Sequence, residues 1–412
     1  MSSRVDSGAG PPEERLASVF HLRETRSDGD RVFYYGESLV PRRMLMREVW
    51  PAFREAGYEV QFVRSDAHGD VLVAEPVSTG VDGVPWVNIV LFVATVLSTL
   101  FVGATAWYYI PLERVTANPL VMLQAWPFTV AVLGVLSTHE LGHYLMGRYH
   151  GVDVSLPYVI PFIVPFGTMG AVIRMRGQMP DRKALFDIGV AGPLAGLAAT
   201  LVVTVVGLSI DPMRIPQSVL GGGGETIVFH NPPLLEIVAS LIGQPVSYSP
   251  PDPRWAAQTG GLPLNPLGSA LLELVGQPEV VDAPGRTVHP VILGAWIGMF
   301  FTVLNLLPVG QLDGGHMLRA MIGRRQETLA ALIPLGLFGL AAYLHYGLGL
   351  GLNESVGLWA FWGLFATFIA YNGPADPVDE TPIGWRRQVL GVVTFLLGAL
   401  CFILVPVQLI GA

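Results

Sequence analysis

The stretch Thr138-His139-Glu140-Leu141-Gly142-His143 sets two imidazoles four residues apart. At that spacing helical side chains share a face and can close on one metal ion. Glu140, between them, is placed to take a proton from a water that the metal acidifies. The chemistry such a set suits is hydrolysis of an amide bond, with zinc as Lewis acid and Glu140 as general base. The single cysteine, Cys401, lies in an apolar run. A thiolate zinc site and a disulfide framework are both excluded, so any metal is held by histidine and carboxylate.

A catalytic zinc takes three protein ligands and leaves one position for water. No glutamate occurs between Glu140 and Glu225, so the downstream helical glutamate of many soluble metalloproteases is missing. The extended pattern with a third histidine is nearly present in Gly147 and His150. Both fall one residue late, and His150 would lie about 10 Å along the axis from His143; it reads as an interfacial residue. The better third ligand is Asp313, in Leu304-Asn305-Leu306-Leu307-Pro308-Val309-Gly310-Gln311-Leu312-Asp313-Gly314-Gly315-His316, the one acidic residue between Asp282 and Glu327. Beside two glycines it could equally be a turn aspartate. Pro308 and the glycines open the chain there, which lets a carboxylate reach across to His139 and His143.

These residues lie in a hydrophobic setting. The chain has 412 residues, is 51% hydrophobic and only 14% charged, and carries a net charge of -8, well below the roughly 25% charged content of soluble domains. It is predicted to be a polytopic membrane protein. Spans are expected at Trp86 to Ile110, Leu120 to Tyr149, Phe186 to Ile210, a broken block from His289 to Ile322, Leu329 to Leu350, Val356 to Tyr371 and Val389 to Val407, which makes six to seven because the sixth is short. Ionisable residues inside an apolar helix cost about 2.5 to 3.5 kcal/mol each, so His139, Glu140 and His143 are expected to face a functional cavity. Leu156 to Ile173 is apolar but carries Pro157, Pro161 and Pro165. It cannot be a spanning helix and reads as a re-entrant, extended segment lining a cavity. Asp211 to Thr287 is a Gly- and Pro-rich extracytosolic loop whose two apolar pieces, Pro233 to Ile242 and Leu267 to Val275, are too short to span.

Ahead of the spans, residues 1–30 are polar and read as a disordered lead without the apolar core of a signal peptide. Residues 31–80 read as a small cytosolic βαββ domain, with Leu45, Val49 and Phe53 on one face of its helix. With the N-terminus cytosolic, 20 basic residues fall on that side and four, Arg114, Arg214, Arg254 and Arg286, on the other. The site then lies near the cytosolic side of a cell membrane.

His139 to His143 together with Asn305 to Gly315 resemble the site-2 protease family of intramembrane zinc metalloproteases. The resemblance runs from about Val121 to Arg319 and includes Phe166-Gly167-Thr168-Met169-Gly170, Ala191-Gly192-Pro193-Leu194-Ala195-Gly196 and His289-Pro290. It is nearest the archaeal, cyanobacterial and plastid branch; Val309-Gly310 stands where other branches often have a second proline. The resemblance implies one zinc on His139, His143 and Asp313, and cleavage of a substrate's transmembrane helix, often in an anchored transcription regulator or its inhibitor. Asn305 is a candidate donor to the developing oxyanion, or else the cap of a broken helix. Gly167, Thr168 and Gly170 are candidate substrate contacts on an edge open to strand addition. Gly192, Pro193 and Gly196 allow close packing of the third span on the second.

Two other classes remain. An ion or proton transporter would spread polar residues along several spans, whereas here they cluster on two. A zinc-binding membrane chaperone or receptor would have no use for Glu140. The partners expected are a transmembrane substrate and the lipid bilayer, without nucleic acid; oligomeric state is not legible.

Overall fold

The computed structural model describes residues 15–410, apart from 66–68, 78–82, 164, 177, 218–225, 247–265, 279–280 and 282–284. The chain is mainly helical, with a small strand-rich unit at its N-terminal end.

That unit is an antiparallel sheet of spatial order β1-β2-β4-β3, formed by β1 (Phe20–Asp28), β2 (Arg31–Ser38), β3 (Tyr58–Ser65) and β4 (Gly69–Pro76). Helix α1 (Arg42–Glu55) packs its Leu45, Val49 and Phe53 against Tyr34, Val60 and Leu72 of the sheet. The expected disordered lead is corrected over its second half, since β1 pairs with β2 from Phe20 opposite Ser38 to Asp28 opposite Arg31. Gly29, at φ +59°, makes the turn. Arg23, Glu24 and Arg26 hide this edge strand from a hydrophobic reading, because only Phe20 and Leu22 turn to the core. Residues 1–14 and most of the turn after β3 lie outside the described residues.

Among the described residues, four helices are long and apolar enough to cross a membrane: Trp86–Trp107, Pro119–Tyr149, Arg182–Ser209 and Arg325–Gly347. The first contains α2 (Trp86–Val102); a short helix α3 (Leu112–Ala117) follows. The second contains α4 (Trp126–Tyr149), and the third is α5 (Arg182–Ser209). Asp181 caps α5, its side chain accepting from the Ala184 amide at 2.7 Å.

Between α4 and α5 the proline-rich segment is extended. β5 (Asp153–Val154) pairs with β8 (Met175–Arg176), and β6 (Tyr158–Pro161) forms an antiparallel hairpin with β7 (Thr168–Val172); β9 (Met179–Asp181) leads into α5. Side chains of α2 bind carbonyls of β6 and of the residues flanking the hairpin strands. Asn88 Nδ2 donates to the carbonyls of Leu156 (3.1 Å) and Pro157 (2.8 Å), Thr95 Oγ1 to that of Val159 (3.0 Å), and Ser98 Oγ to that of Gly167 (2.6 Å). Backbone groups that cannot be left bare in an apolar setting are thus paired without a third strand.

Beyond α5 come β10 (Met213–Arg214), β11 (Thr226–Phe229), α6 (Pro233–Ile242), α7 (Pro266–Val275) and β12 (Arg286–Thr287). The broken block is α8 (Val291–Asn305), a turn at residues 306–312, and α9 (Asp313–Ile322). Then follow α10 (Arg325–Ala342), α11 (Gly357–Asn372), β13 (Pro377–Asp379), α12 (Trp385–Cys401) and β14 (Val407–Ile410). With 15 to 17 residues, α8, α11 and α12 each rise only about 22–26 Å.

Candidate active site

The helices α4, α5, α8 and α9 pack together, and the site lies where they meet. On α4, His139, Glu140 and His143 fall on the buried face, with Leu141 and Leu145 on the exposed one. The i, i+4 spacing therefore turns both imidazoles inward together. Asp313 is the first residue of α9, delivered to them by the turn that ends α8.

His139 Nε2 lies 3.1 Å from Asp313 Oδ2 and 3.1 Å from His143 Nε2, and His143 Nε2 lies 3.2 Å from Asp313 Oδ1. Asn305, the last residue of α8, brings Nδ2 to 3.3 Å from His139 Nε2. The three proposed donors thus meet at a point. Four-coordinate zinc with bonds of about 2.0–2.1 Å spaces its ligand atoms about 3.3 Å apart, so these separations match that set.

A second observation supports the fit. His143 Nδ1 lies 2.8 Å from the carbonyl of Ile188 on α5. That acceptor fixes the proton on Nδ1 and leaves the Nε2 lone pair facing Asp313 and His139, as in a metal-ligating histidine. A carboxylate and two imidazoles whose acceptor atoms converge in a buried place call for a cation.

A single face of α5 makes room for these rings. A Cβ at Gly192 would overlap the ring of His143; one at Gly196 would come within 2.9 Å of His139 Nδ1; one at Gly189 within 3.3 Å of His316 Cβ. The predicted close packing of the third span on the second is therefore packing against the ligands themselves.

The residues enclose a cavity of about 150 Å³, lined by His139, Glu140, His143, Asn305 and Asp313, by Ala171, Val172 and Ile173 from the β7 end of the hairpin, by Met175, Met179, Leu185 and Ile188, and by Gln311 and His316. Gly167, Thr168 and Gly170 are not in its wall. Thr168 instead shapes the hairpin, donating to the Ile160 carbonyl at 2.9 Å and accepting from the Gly170 amide at 3.0 Å. His150 is also elsewhere, 3.0 Å from Asp187 Oδ2, where Arg387 binds the same carboxylate at 2.7 Å. Gln311 and His316 went unassigned in the sequence, although both stand within the stretch around Asp313.

A zinc-type donor set buried between helices long enough to span a membrane defines a membrane metalloprotein. Residues 127–340 match the model of peptidase family M50, the family of the site-2 proteases, and the chain belongs to that family. It is 31% identical over 282 residues to the probable zinc metalloprotease EGY1, chloroplastic, of Arabidopsis thaliana, covering 66% of this chain and 42% of that protein. To its counterpart in Oryza sativa subsp. japonica it is 31% identical over 279 residues, with 66% and 39% covered. The Arabidopsis probable zinc metallopeptidase EGY3, chloroplastic, is 29% identical over 282 residues, with 67% and 42% covered. The chain thus spans about two fifths of the length of these curated relatives. No solved structure matches it significantly.

Proposed function

We propose that this chain is an intramembrane zinc endopeptidase that cleaves transmembrane segments of membrane-anchored substrates. The observation that carries the reading is the convergence of His139, His143 and Asp313 in a cavity that also holds Glu140. Held by those three residues, zinc would supply Lewis-acid polarisation of the scissile carbonyl and acidification of the attacking water. Glu140 accepts the water's proton and returns it to the leaving amine nitrogen. No hydrogen bond ties its carboxylate among the described residues, so it is free for that transfer. Asn305 Nδ2, already facing the donor set, donates to the oxygen that gains negative charge.

In this reading the hairpin β6–β7 is re-entrant and receives the substrate as an added strand. Its inner strand β7 pairs with β6 alone among the described residues, and the end of that strand, Ala171 and Val172, with Ile173 after it, forms cavity wall. A substrate helix must unwind to reach Glu140, and an open strand edge gives the unwound backbone its hydrogen bonds. The shorter helices α8 with α9, α11 and α12 bring the count to six or seven spans. The N-terminus and the site face the cytosol of a cell membrane, as the distribution of arginines favours. The substrate class is an anchored transcription regulator or its inhibitor.

The test is cleavage of a model transmembrane substrate in detergent by wild type and Glu140→Gln, with bound zinc measured in both. Cleavage by wild type alone, with zinc in both, is expected. Zinc in both with cleavage in neither would make the chain a non-catalytic zinc protein. A wild type free of zinc would return the transporter to first place.

A further inference from the structure

Of the seven polar or charged residues in the cavity wall, five have a part in the scheme above; Gln311 and His316 do not. We propose that His316 is a catalytic residue of the proposed peptidase, donating a hydrogen bond from its ring to the substrate backbone beside the scissile bond. The proposal rests on the protease reading and deepens it.

His316 lies one helical turn after Asp313 on α9, so both side chains issue from one face. Its residue is only 4% exposed, and it stands opposite Gly189 on the α5 face that also seats His143 and His139. The rings of His143 and His139 lie against Gly192 and Gly196, and the Cβ of His316 lies against Gly189, so three histidines are seated on one helix face. Yet the third is not a ligand, because the donor atoms that converge within 4.8 Å are those of His139, His143 and Asp313.

The ring's own hydrogen bonding says what it offers. Nδ1 is sealed from solvent and has no partner. A buried N–H without an acceptor costs roughly 1–3 kcal/mol, and an unused lone pair is the cheaper orphan. The proton therefore resides on Nε2, and the ring is a donor on the edge away from the sealed nitrogen. The backbone of Gln311, also in the cavity wall, is a polar neighbour of the ring. A peptide carbonyl entering the cavity that His316 lines offers this donor an acceptor, and a donor fixed by packing loses no freedom on engaging it.

The experiment compares His316→Phe and His316→Gln with wild type and Glu140→Gln, measuring bound zinc, melting temperature, kcat and KM on a model transmembrane substrate. Zinc should stay at the wild-type level in both His316 variants. In His316→Phe, kcat should fall on the order of a hundredfold with KM nearly unchanged, the signature of a contact made in the transition state. His316→Gln, which keeps a donor, should recover a substantial part of kcat. Near wild-type kcat in both variants would overturn the proposal and leave His316 a packing residue. Loss of zinc from His316→Gln would overturn it too, assigning the ring to support of the ligands. Should the phenylalanine variant fail to fold, His316→Leu takes its place: the same fall in kcat with zinc retained is expected, and near wild-type kcat would overturn the proposal. Failure of wild type to cleave at all would instead sink the protease reading, and this assignment with it.

Discussion

Gly192 on α5 lies against the imidazole of His143 on α4 so closely that a Cβ would occupy the place of the ring. The ring cannot retreat, because its Nδ1 is held by the Ile188 carbonyl one turn earlier on the same helix. Gly192→Ala should therefore push His143 out of line with Asp313. Loss of ligand support of this kind typically weakens metal binding about 10- to 100-fold. Bound zinc measured against a competing chelator should show that loss, while Gly134→Ala, at a position with open space around it, should not.

Asp313 carries the one negative charge among the three converging donors. Asp313→Ala should remove bound zinc and abolish cleavage, whereas Asp313→Asn keeps an oxygen donor and loses the charge, so a weak residual occupancy is expected. The measurement is zinc per chain after dialysis, read beside His139→Ala as the reference for a missing ligand. Full zinc retention in Asp313→Ala would transfer the third position to another group.

How much of this was legible in the sequence follows from how local each relationship is. His139, Glu140 and His143 are one turn of one helix, so their spacing alone aligns them. Asp313 was legible for a different reason, as an isolated acid in an apolar block behind a chain-breaking Pro308. The hairpin's extended form follows from its prolines. The fit of Gly189 against His316 was not legible, and neither was the place of Met175 and Met179 in the cavity wall. The first arises from how α5 crosses α9 and the second from how the strands before α5 fold onto the site, which no local pattern encodes. Gly167, Thr168 and Gly170 show the limit from the other side. They stand in a motif next to the site, yet the residues that reach the cavity are the ones just after them.

The hydrogen bonds from α2 to the hairpin give a separate prediction. Thr95 is fully buried and its hydroxyl donates to the Val159 carbonyl at 3.0 Å, while Ser98 does the same for Gly167 at 2.6 Å. Thr95→Val with Ser98→Ala keeps the volume of the first side chain and removes both donors; the Gly167 carbonyl keeps the Phe162 amide at 3.2 Å, so the cost of about 1–3 kcal/mol for an unsatisfied group falls on the Val159 carbonyl. The hairpin should exchange its amide hydrogens faster across Thr168–Val172, and KM should rise more than kcat falls. Unchanged exchange there would mean that β7 is held by the cavity wall and not by α2.

The segment after α11 is tied down by charge. The Arg319 side chain is fully buried and its guanidinium binds Glu380 and, at 3.0 Å, Asp376, while Arg182 Nε donates to the Ala320 carbonyl at 2.8 Å. The hydrogen bond that Arg319 donates to Glu380, together with the charge of Arg319, holds the Glu380 carboxyl below its ordinary range. For a carboxylate lowered in the folded state, the stabilisation is complete above its unfolded value of about 4.3 and is lost as pH falls through the folded value. Wild type should therefore melt at a higher temperature than Glu380→Gln at neutral pH, and the gap should close below about pH 4. Melting curves in detergent across that range provide the check. A gap that persists in acid would assign the effect to packing of the side chain, because protonated Glu380 and glutamine then carry the same charge beside a guanidinium that remains buried.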